Sequence, residues 1–530
     1  MEVGPFTASP GGDENKSSAA LATVCVILFL TFLDNTVVSV ILGNIQSALH
    51  AGVTELQWVV DGYAVAFAAL MLFMGSLGDL LGRKKVMLAG AAVFCIGSIV
   101  CALAPNAGTL IGGRVIMGVG AAASEPGTLS MIRHLYPQGR DRARALGVWA
   151  AVSALALALG PVIGGVLVGI ADWRAVFWFN LAFGLVALLA AIIVLPENSD
   201  PEGRRLDVPG SVLATVALAT AIFAVIEGEI ATYHTWWVLV CFVAAVVAGV
   251  AFVLREIRAP DPLLDLSFVR MPTFSGPNYV AFAVYFGTFA VFFFTALYLE
   301  VIVGYSGYRT ALQFVFLTAA MVIAALVSGR VTGAWGPRWP MTAGSLLAGV
   351  GLLLTLYAIS PHPSFGQLAW RLALVGFGFG LAIVPMTSAV LGVVPPERSG
   401  MAASATNTSR EIGAVFGAAV LGAIINSQLT NHIVETLHKL GLPPNVISIA
   451  ITTLEHGGLS TVHAQAGASA AAAQSGHPTE VQTLIHAAYA AFYSGLSIVL
   501  ILSAVLVFVA AVVALVTVAR WKPAPEENQS

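Results

Sequence analysis

Charged residues are scarce in this 530-residue chain. Aspartate, glutamate, lysine and arginine make up 10% of it, whereas hydrophobic residues make up 58%. The mean hydropathy is +0.89, and soluble globular domains usually contain about 25% charged residues. The composition therefore excludes an ordinary soluble domain. The small net charge of −3 gives no support to nucleic-acid binding, which normally needs a basic surface.

Cysteine is also scarce, and no nucleotide-binding or metal-binding pattern is present. The four cysteines, which lie in apolar runs where a thiol usually packs as a small apolar group, are Cys25, Cys95, Cys101 and Cys241. The sequence has no GxxxxGK[ST] phosphate-binding loop, which argues against an ATP-driven pump. Its ten histidines match no metal-ligand spacing. We therefore expect no disulfide, no cofactor and no metal site.

Long hydrophobic runs fill the chain instead. Fourteen of them are long enough to cross about 30 Å of hydrocarbon. Lysine and arginine concentrate in alternate connecting segments, and such residues are retained on the cytoplasmic side. This bias predicts a multi-pass protein of the cell membrane with both termini in the cytoplasm. The first run has no clear cleavage site, so we expect it to be a retained span.

The runs and their interruptions predict the domain organisation. The predicted segments are a cytoplasmic tail (1–19), a six-helix half (20–195), a linker (196–209), two inserted helices with their loop (210–277), a second six-helix half (278–518) and a tail (519–530). The outer stretch 426–487 is too polar to span. It is interpreted either as an amphipathic hairpin at the membrane interface or as a loosely ordered loop.

An internal repeat supports two related halves. The segment GSLGDLLGRKKVMLAG beginning at Gly75 returns as GRVTGAWGPRWPMTAG beginning at Gly329. The shared positions are Gly75, Gly82, Lys84 and Gly90, which align with Gly329, Gly336, Arg338 and Gly344. Repeated halves around a central site are common in secondary transporters. The repeat therefore favours transport over catalysis.

Seven motifs occur in order along the chain. They are LDNTVV from Leu33, WVV from Trp58, the turn Gly75–Lys85, Arg114 with Gly118 and Gly120, GPVIGG from Gly160, PPERSGMA from Pro395, and Asn407-Thr408 with Arg410 and Gly413. Together they resemble the major facilitator superfamily, in particular its fourteen-helix drug:H⁺ antiporter branch. The resemblance covers nearly the whole chain. It implies an all-α membrane protein with the major facilitator fold: two six-helix halves plus two inserted central helices.

Two of these motifs are expected to control conformational change. In the first, Gly75 and Gly78 would let helices approach closely, Gly82 would permit a sharp reversal, and Asp79 would pair with an arginine or cap a helix N-terminus. By resemblance, this turn is a latch for the outward-facing state, and the alternative is a merely topogenic basic loop. In the second, Pro161 would bend its helix and the neighbouring glycines would form a small-residue face. By resemblance, this face seals the path against proton leak. The candidate gate residues are Gly75, Gly78, Asp79, Gly82, Arg83, Lys84, Gly160, Pro161, Gly164 and Gly165.

Charged residues inside spans are costly and are functional candidates by default. We expect Asp34 to exchange protons and Arg114 to bias its protonation, the alternative being a static buried ion pair. Glu411, where the family usually has glutamine, is a second proton-coupling candidate. The candidate substrate contacts are Asp61, Glu125, Glu300, Asn407 and Arg410. Glu227, at the end of the seventh span, is expected to lie outside the core.

The sequence thus predicts a proton-coupled antiporter that exports drugs or other amphipathic, cationic small molecules by alternating access. Its expected partners are a small-molecule substrate, protons and the lipid bilayer, and the resemblance implies a monomer. The alternative within this class is a dedicated exporter of one endogenous metabolite or lipid precursor. A membrane-embedded enzyme lacks a polar catalytic cluster, and a non-transporting sensor is disfavoured because Asp34 and Arg114 are both present. Departures from the family pattern at Ser39, Gly43 and Met117 leave the substrate spectrum open.

Overall fold

The structure is a computed structural model. It describes residues 10–197, 207–231, 233–299, 303, 305, 307–360, 363–439 and 478–518. Within these ranges the secondary structure is helical, without strands. The prediction of an all-α membrane protein is confirmed, because fourteen helices are long and apolar enough to cross a membrane.

The fourteen helices are numbered α1 to α14 in chain order. They are α1 (Pro10–Leu49), α2 (Val53–Leu81), α3 (Arg83–Ala102), α4 (Ala107–Leu135), α5 (Gly139–Ile170), α6 (Arg174–Val194), α7 (Val208–Ala231), α8 (Trp236–Arg258), α9 (Pro272–Leu297), α10 (Gly307–Trp335), α11 (Arg338–Leu356), α12 (Phe365–Val393), α13 (Ser399–Lys439) and α14 (Pro478–Thr517). A one-turn helix, Leu266–Val269, lies between α8 and α9, and a 3₁₀ turn, Pro396–Arg398, precedes α13. One turn of α9, Ala290–Phe294, is π-helical.

Most helix contacts fall within two groups, α1–α6 and α9–α14. The two groups meet chiefly where α2 packs on α13 and where α5 packs on α10. The inserted helices α7 and α8 pack on each other, and α7 also contacts α2 and α13. Apolar side chains fill the interior of both groups, as expected where van der Waals packing holds helices together in lipid.

The internal repeat has a structural counterpart in backbone conformation. Gly82 has φ of 111° between α2 and α3, and Gly336 has φ of 77° between α10 and α11. A positive φ of this kind costs a side-chain-bearing residue energy that glycine avoids. Gly90 and Gly344 likewise lie against the backbone of the following helix, at Gly120 and Gly378. The aligned glycines therefore perform the same local tasks in both halves.

The thirteenth membrane span ends at Ile425, as predicted. The helix itself continues beyond the span, since α13 runs to Lys439. No glycine or proline interrupts residues 426–439, the first part of the outer stretch. The rest of the stretch, 440–477, lies outside the described residues, so the choice between hairpin and loop stays open.

Candidate functional site

A fully buried ion pair joins Asp34 of α1 to Arg114 of α4. The two side chains are 0% and 1% exposed. The amide Nδ2 of Asn180, on α6, donates to the other Asp34 carboxylate oxygen at 2.7 Å. Arg114 also donates through Nε to the Val59 carbonyl at 2.9 Å and lies 4.4 Å from the centre of the Tyr63 ring. Four helices of the first half thus hold one carboxylate and one guanidinium.

This arrangement makes the charge of each partner depend on the charge of the other. Removing one partner of a buried ion pair typically costs about 3–5 kcal/mol, because the other charge is left uncompensated. Protonating Asp34 removes its charge in the same way and releases Arg114 from its partner. Asp34 lies on α1 and Arg114 on α4, and their other hydrogen-bond partners lie on α6 and α2. Movement of α1 or α4 therefore changes the distance, and so the attraction, between the carboxylate and the guanidinium. The geometry therefore ties the attraction between Asp34 and Arg114 to the relative positions of α1 and α4.

A second polar cluster centres on Arg410 of α13. Its guanidinium donates to Asn407 Oδ1 at 2.8 Å and to Thr387 Oγ1, on α12, at 2.6 Å. It lies 5.0 Å from the Trp149 ring of α5 and 5.5 Å from the Tyr285 ring of α9. Trp149 belongs to the first half and the other four residues to the second. The cluster therefore lies where the two halves meet.

Two carboxylates accompany this arginine. Glu125 of α4 is 2% exposed, and its Oε2 has no hydrogen-bond partner among the residues that the structure describes. Glu411 is half-buried next to Arg410 in sequence. The three charges are close enough to interact, with one carboxylate from each half and a single guanidinium. A buried carboxylate without a partner is costly, so this cluster has capacity for a proton or a cationic group.

The Asp79 latch lies at the end of the bundle where α2 turns into α3, which we call the α2–α3 face and define by Asp79, Gly82 and Arg83. Asp79 accepts hydrogen bonds from Arg83 Nη2 at 2.9 Å and from the backbone N–H groups of Gly400 and Met401, each at 3.0 Å. Those two N–H groups begin α13, so the carboxylate caps the positive end of a helix in the other half. Both predicted roles of Asp79, pairing and capping, occur together.

Hydrogen bonds between the two six-helix groups concentrate at this face. Arg83 donates to the Pro396 carbonyl at 3.0 Å, and Arg133 donates to the Val394 carbonyl. Together with the Asp79 bonds, these join the end of α2, the start of α3 and the end of α4 to the segment between α12 and α13 and to the first turn of α13. The structure is therefore closed between the halves at the α2–α3 face.

The remaining latch residues differ in what they do. A Cβ on Gly75 would overlap the Ser404 side chain and lie 2.7 Å from the Gly400 carbonyl, so Gly75 permits the close approach of α2 and α13. A Cβ on Gly78 would meet nothing within 4 Å, and the expectation of close packing there is wrong. Lys84 donates to the Ile192 carbonyl at 2.7 Å within the first half. It does not join the latch between the halves.

The GPVIGG motif of α5 packs against α1. A Cβ on Gly160 would overlap Thr36 and lie 3.0 Å from the Val37 nitrogen, and one on Gly164 would lie 3.1 Å from the Val37 carbonyl. A Cβ on Gly165 would meet nothing within 4 Å, so this glycine does not belong to the predicted small-residue face. Pro161 lies inside the helix, as expected. The contact places α5 directly beside the helix turn that holds Asp34.

Of the other two substrate candidates, Asp61 lies apart from these clusters. Asp61 is half-buried and close enough to Glu227 of α7 for their charges to interact. Glu227 is 7% exposed and accepts a hydrogen bond from Trp58 Nε1 at 2.7 Å, so the expectation that it lies outside the core is wrong. Glu300 lies outside the described residues. Asp61 thus faces a contact between α2 and an inserted helix.

A cavity of about 610 Å³ lies elsewhere, between the inserted helices and the second half. Its lining comes from α7, the turn before α8, α8, α13 and α14, and includes Val225, Phe242, Phe416 and Ile498. None of the sequence-predicted candidates lines it. The lining is mainly apolar, so the cavity offers no charged group for proton exchange.

Five residues of the two polar clusters could not be recognised as site residues from sequence patterns. Asn180, Tyr63, Thr387, Trp149 and Tyr285 lie in apolar runs like many other such residues. Only Asn180 carries a weak signal, since an amide inside a span needs a hydrogen-bond partner. Their roles depend on contacts between helices that are distant in sequence.

Comparison with known proteins identifies the family of this chain. Residues 24–418 match the family model described as Major Facilitator Superfamily. The chain is 33% identical over 403 residues to the "Multidrug resistance protein Stp" of Mycobacterium tuberculosis, covering 76% of this chain and 75% of the relative. It is 34% identical over 424 residues to the "Methylenomycin A resistance protein" of Bacillus subtilis, covering 79% and 91%.

A solved structure shows the same fold. The human organic anion transporter MFSD10 (TETRAN) superposes with a TM-score of 0.61 at 16% sequence identity, covering 93% of this chain and 99% of that one. At this identity the likeness concerns the fold alone. The family-model match, the fourteen spans and the two helical groups together show that the chain belongs to the major facilitator superfamily.

Proposed function

We propose that this transporter exports drugs or other amphipathic, cationic small molecules in exchange for protons. The observation that carries the proposal is the buried Asp34–Arg114 pair, held by Asn180. A membrane protein tolerates such charges where they serve a function. The names of the two relatives, a multidrug resistance protein and an antibiotic resistance protein, support drugs as the substrate class.

Alternating access explains how the two clusters work together. In this proposal both termini and the α2–α3 face lie on the cytoplasmic side, which the positive-inside bias favours. Because the halves are joined at that face by Asp79 and Arg83, the structure corresponds to an outward-facing state. Opening the latch and closing the outer end would expose the central cluster to the cytoplasm. No ATP is needed, because downhill proton entry supplies the free energy.

The central cluster supplies the substrate contacts in this proposal. Glu125 and Glu411 offer negative charge to a cationic group, and the Trp149 and Tyr285 rings offer apolar and cation–π surface. Asn407 holds Arg410 in place. The proposed functional unit is a monomer, since the residues of both clusters come from one chain.

Purified protein in liposomes that contain a pH-sensitive dye tests the proposal. A panel of lipophilic cations and neutral drugs is added, and substrate-dependent proton movement is recorded. Proton movement with several unrelated compounds supports a multidrug antiporter. Absence of movement with every compound, from protein that is shown to be folded, contradicts the proposal.

A dedicated exporter of one compound is the second candidate. The observation in its favour is that the Bacillus subtilis relative is named for resistance to a single antibiotic, methylenomycin A. The same panel distinguishes the two, because a dedicated exporter responds to one chemical series and ignores the rest.

A further inference from the structure

The segment 259–271, which connects the inserted helix α8 to α9, lies across the α2–α3 face and contacts both halves. We call it the connecting strap. It begins after Arg258 at the end of α8 and contains the one-turn helix Leu266–Val269. Nothing in the transport chemistry proposed above uses it.

The strap is anchored to the inserted helices at its first end. Arg255 of α8 pairs with Asp207, at the start of α7, through Nη2 at 3.0 Å. Glu256 of α8 is 4% exposed and accepts a hydrogen bond from the Leu264 backbone nitrogen at 3.0 Å. The first part of the strap is therefore attached to α8, which is itself paired with the start of α7.

The middle of the strap holds α2, in the first half. Leu263 is 4% exposed and packs with Leu72 of α2 and Ala214 of α7. Its carbonyl accepts a hydrogen bond from the Ser76 hydroxyl at 3.3 Å. Ser76 directly follows Gly75, where α2 and α13 approach most closely. The strap thus contacts α2 beside the latch.

The far end of the strap holds the start of α13, in the second half. Asp265 forms an ion pair with Arg398, and the two side chains are each 25% exposed. The Arg398 guanidinium also lies 5.8 Å from the Phe268 ring centre. Arg398 ends the 3₁₀ turn whose first residue, Pro396, accepts the hydrogen bond from Arg83. The Asp265–Arg398 pair therefore positions the turn on which the latch closes.

From these contacts we propose that the inserted helix pair regulates the transport cycle through the connecting strap, with Asp265 as the positioning residue that holds the halves closed at the α2–α3 face. When this face opens, Ser76 of the first half and Arg398 of the second half move apart. The strap is too short to keep both its hydrogen bond from Ser76 and its ion pair with Arg398. The strap therefore stabilises the closed state and slows opening. The proposal gives the two inserted helices a task that the two six-helix halves do not supply.

Asp265→Asn tests the ion pair without removing the helix cap. Asp265 also accepts a hydrogen bond from the Ser267 backbone nitrogen at 2.9 Å, and asparagine caps helices about as well as aspartate. The matched control is Asp141→Asn, because Asp141 pairs with Arg144 at 3.2 Å within α5 alone and both side chains are exposed. The exchanged pair, Asp265→Arg with Arg398→Asp, restores opposite charges in reversed order.

The readout is the distance across the α2–α3 face. Spin labels are placed on Gln138→Cys in the first half and Trp335→Cys in the second, both exposed, in protein without the four native cysteines. Double electron–electron resonance then gives the populations of closed and open protein. This measurement needs no substrate and no proton gradient, so it stands even if the proposed export function fails.

Asp265→Asn is expected to raise the open-to-closed ratio about two- to fivefold, the effect of a partly exposed ion pair. The exchanged pair is expected to return the ratio toward that of the wild type, and Asp141→Asn to leave it unchanged. Ser76→Ala, which removes the hydrogen bond between α2 and the strap, is expected to shift the ratio in the same direction as Asp265→Asn. An unchanged ratio in both Asp265→Asn and Ser76→Ala overturns the proposal, as does an exchanged pair that behaves like Asp265→Asn alone.

Discussion

Replacing Gly75 by alanine is expected to open the α2–α3 face, whereas the same change at Gly78 is expected to be neutral. The two glycines lie one helical turn apart on α2. An alanine Cβ at position 75 would overlap the Ser404 side chain and lie 2.7 Å from the Gly400 carbonyl, which is backbone and cannot rotate away. At position 78 the Cβ would meet nothing within 4 Å.

The size of the effect follows from the cost of overpacking. Forcing an extra carbon into a packed contact typically costs about 1–3 kcal/mol. The contact exists only while α2 and α13 are closed together, so this cost raises the free energy of the closed state alone. At about 1.4 kcal/mol for each factor of ten, the open-to-closed ratio rises roughly five- to 150-fold. The gain in helix propensity from glycine to alanine, about 1 kcal/mol, is shared by both variants.

The distance between spin labels at positions 138 and 335 measures the ratio, and thermal melting checks that both variants are folded. Ser404→Gly in the Gly75→Ala background is expected to recover part of the closed population, since it removes one of the two obstructing groups. If Gly75→Ala and Gly78→Ala give the same distance distribution as the wild type, the assignment of this contact to the latch is wrong.

Three further predictions concern the coupling site, the seal and the strap. Asp34→Asn is expected to abolish substrate-driven proton movement in liposomes and to lower stability by about 3–5 kcal/mol, because Arg114 is left unpaired; Arg114→Gln in the same chain should restore stability, measured by thermal melting, but not coupling. Gly160→Ala is expected to raise passive proton leak by displacing α1 from α5, while Gly165→Ala, which faces open space, should leave the leak unchanged in the same dye assay. Partial burial alone would raise the pKa of Asp265, but hydrogen bonds from Ser267 and the charge of Arg398 outweigh it and lower the pKa; the ion pair therefore persists until the pH falls below the ordinary range of an aspartate, about 4, and the pH profile of transport between pH 5.5 and 8 should be the same with and without Asp265→Asn.

Much of the fold follows from features that act locally along the chain. Hydrophobic length predicts fourteen spans because crossing hydrocarbon takes about 20 apolar residues, and the structure contains fourteen such helices. The distribution of basic residues predicts the orientation of the spans. The pairing of Asp34 with Arg114 is also predictable. Two opposite charges inside apolar spans have few other ways to offset the cost of burial.

The residues that complete the site could not be predicted, because their roles depend on which helices meet. Asp79 is expected to cap a helix N-terminus, but only the fold shows that the helix is α13, more than 300 residues later. Gly75 and Gly78 look equivalent in sequence, yet one faces α13 and the other faces open space. Periodicity predicts a helix without fixing its rotation against a neighbour, so it cannot tell these two glycines apart.

The contacts of the inserted helices could not be predicted from the sequence for the same reason. Nothing in the hydrophobic pattern of α7 and α8 separates them from lipid-facing spans. The expectation that Glu227 lies outside the core rests on the family resemblance, which makes these two helices an insert between the halves. The structure buries Glu227 against Trp58 of α2 and attaches the strap to both halves. Contacts of this kind come from loops and helix ends, where sequence patterns are weakest.

The most direct test of proton-coupled export compares wild type and Asp34→Asn in liposomes under an imposed pH gradient, with a transported drug and an internal pH dye. The account predicts that the wild type accumulates drug against its gradient while protons move in the opposite direction. It predicts that Asp34→Asn exchanges drug at equilibrium but neither accumulates it nor moves protons. Accumulation and proton movement that persist in Asp34→Asn would contradict the account.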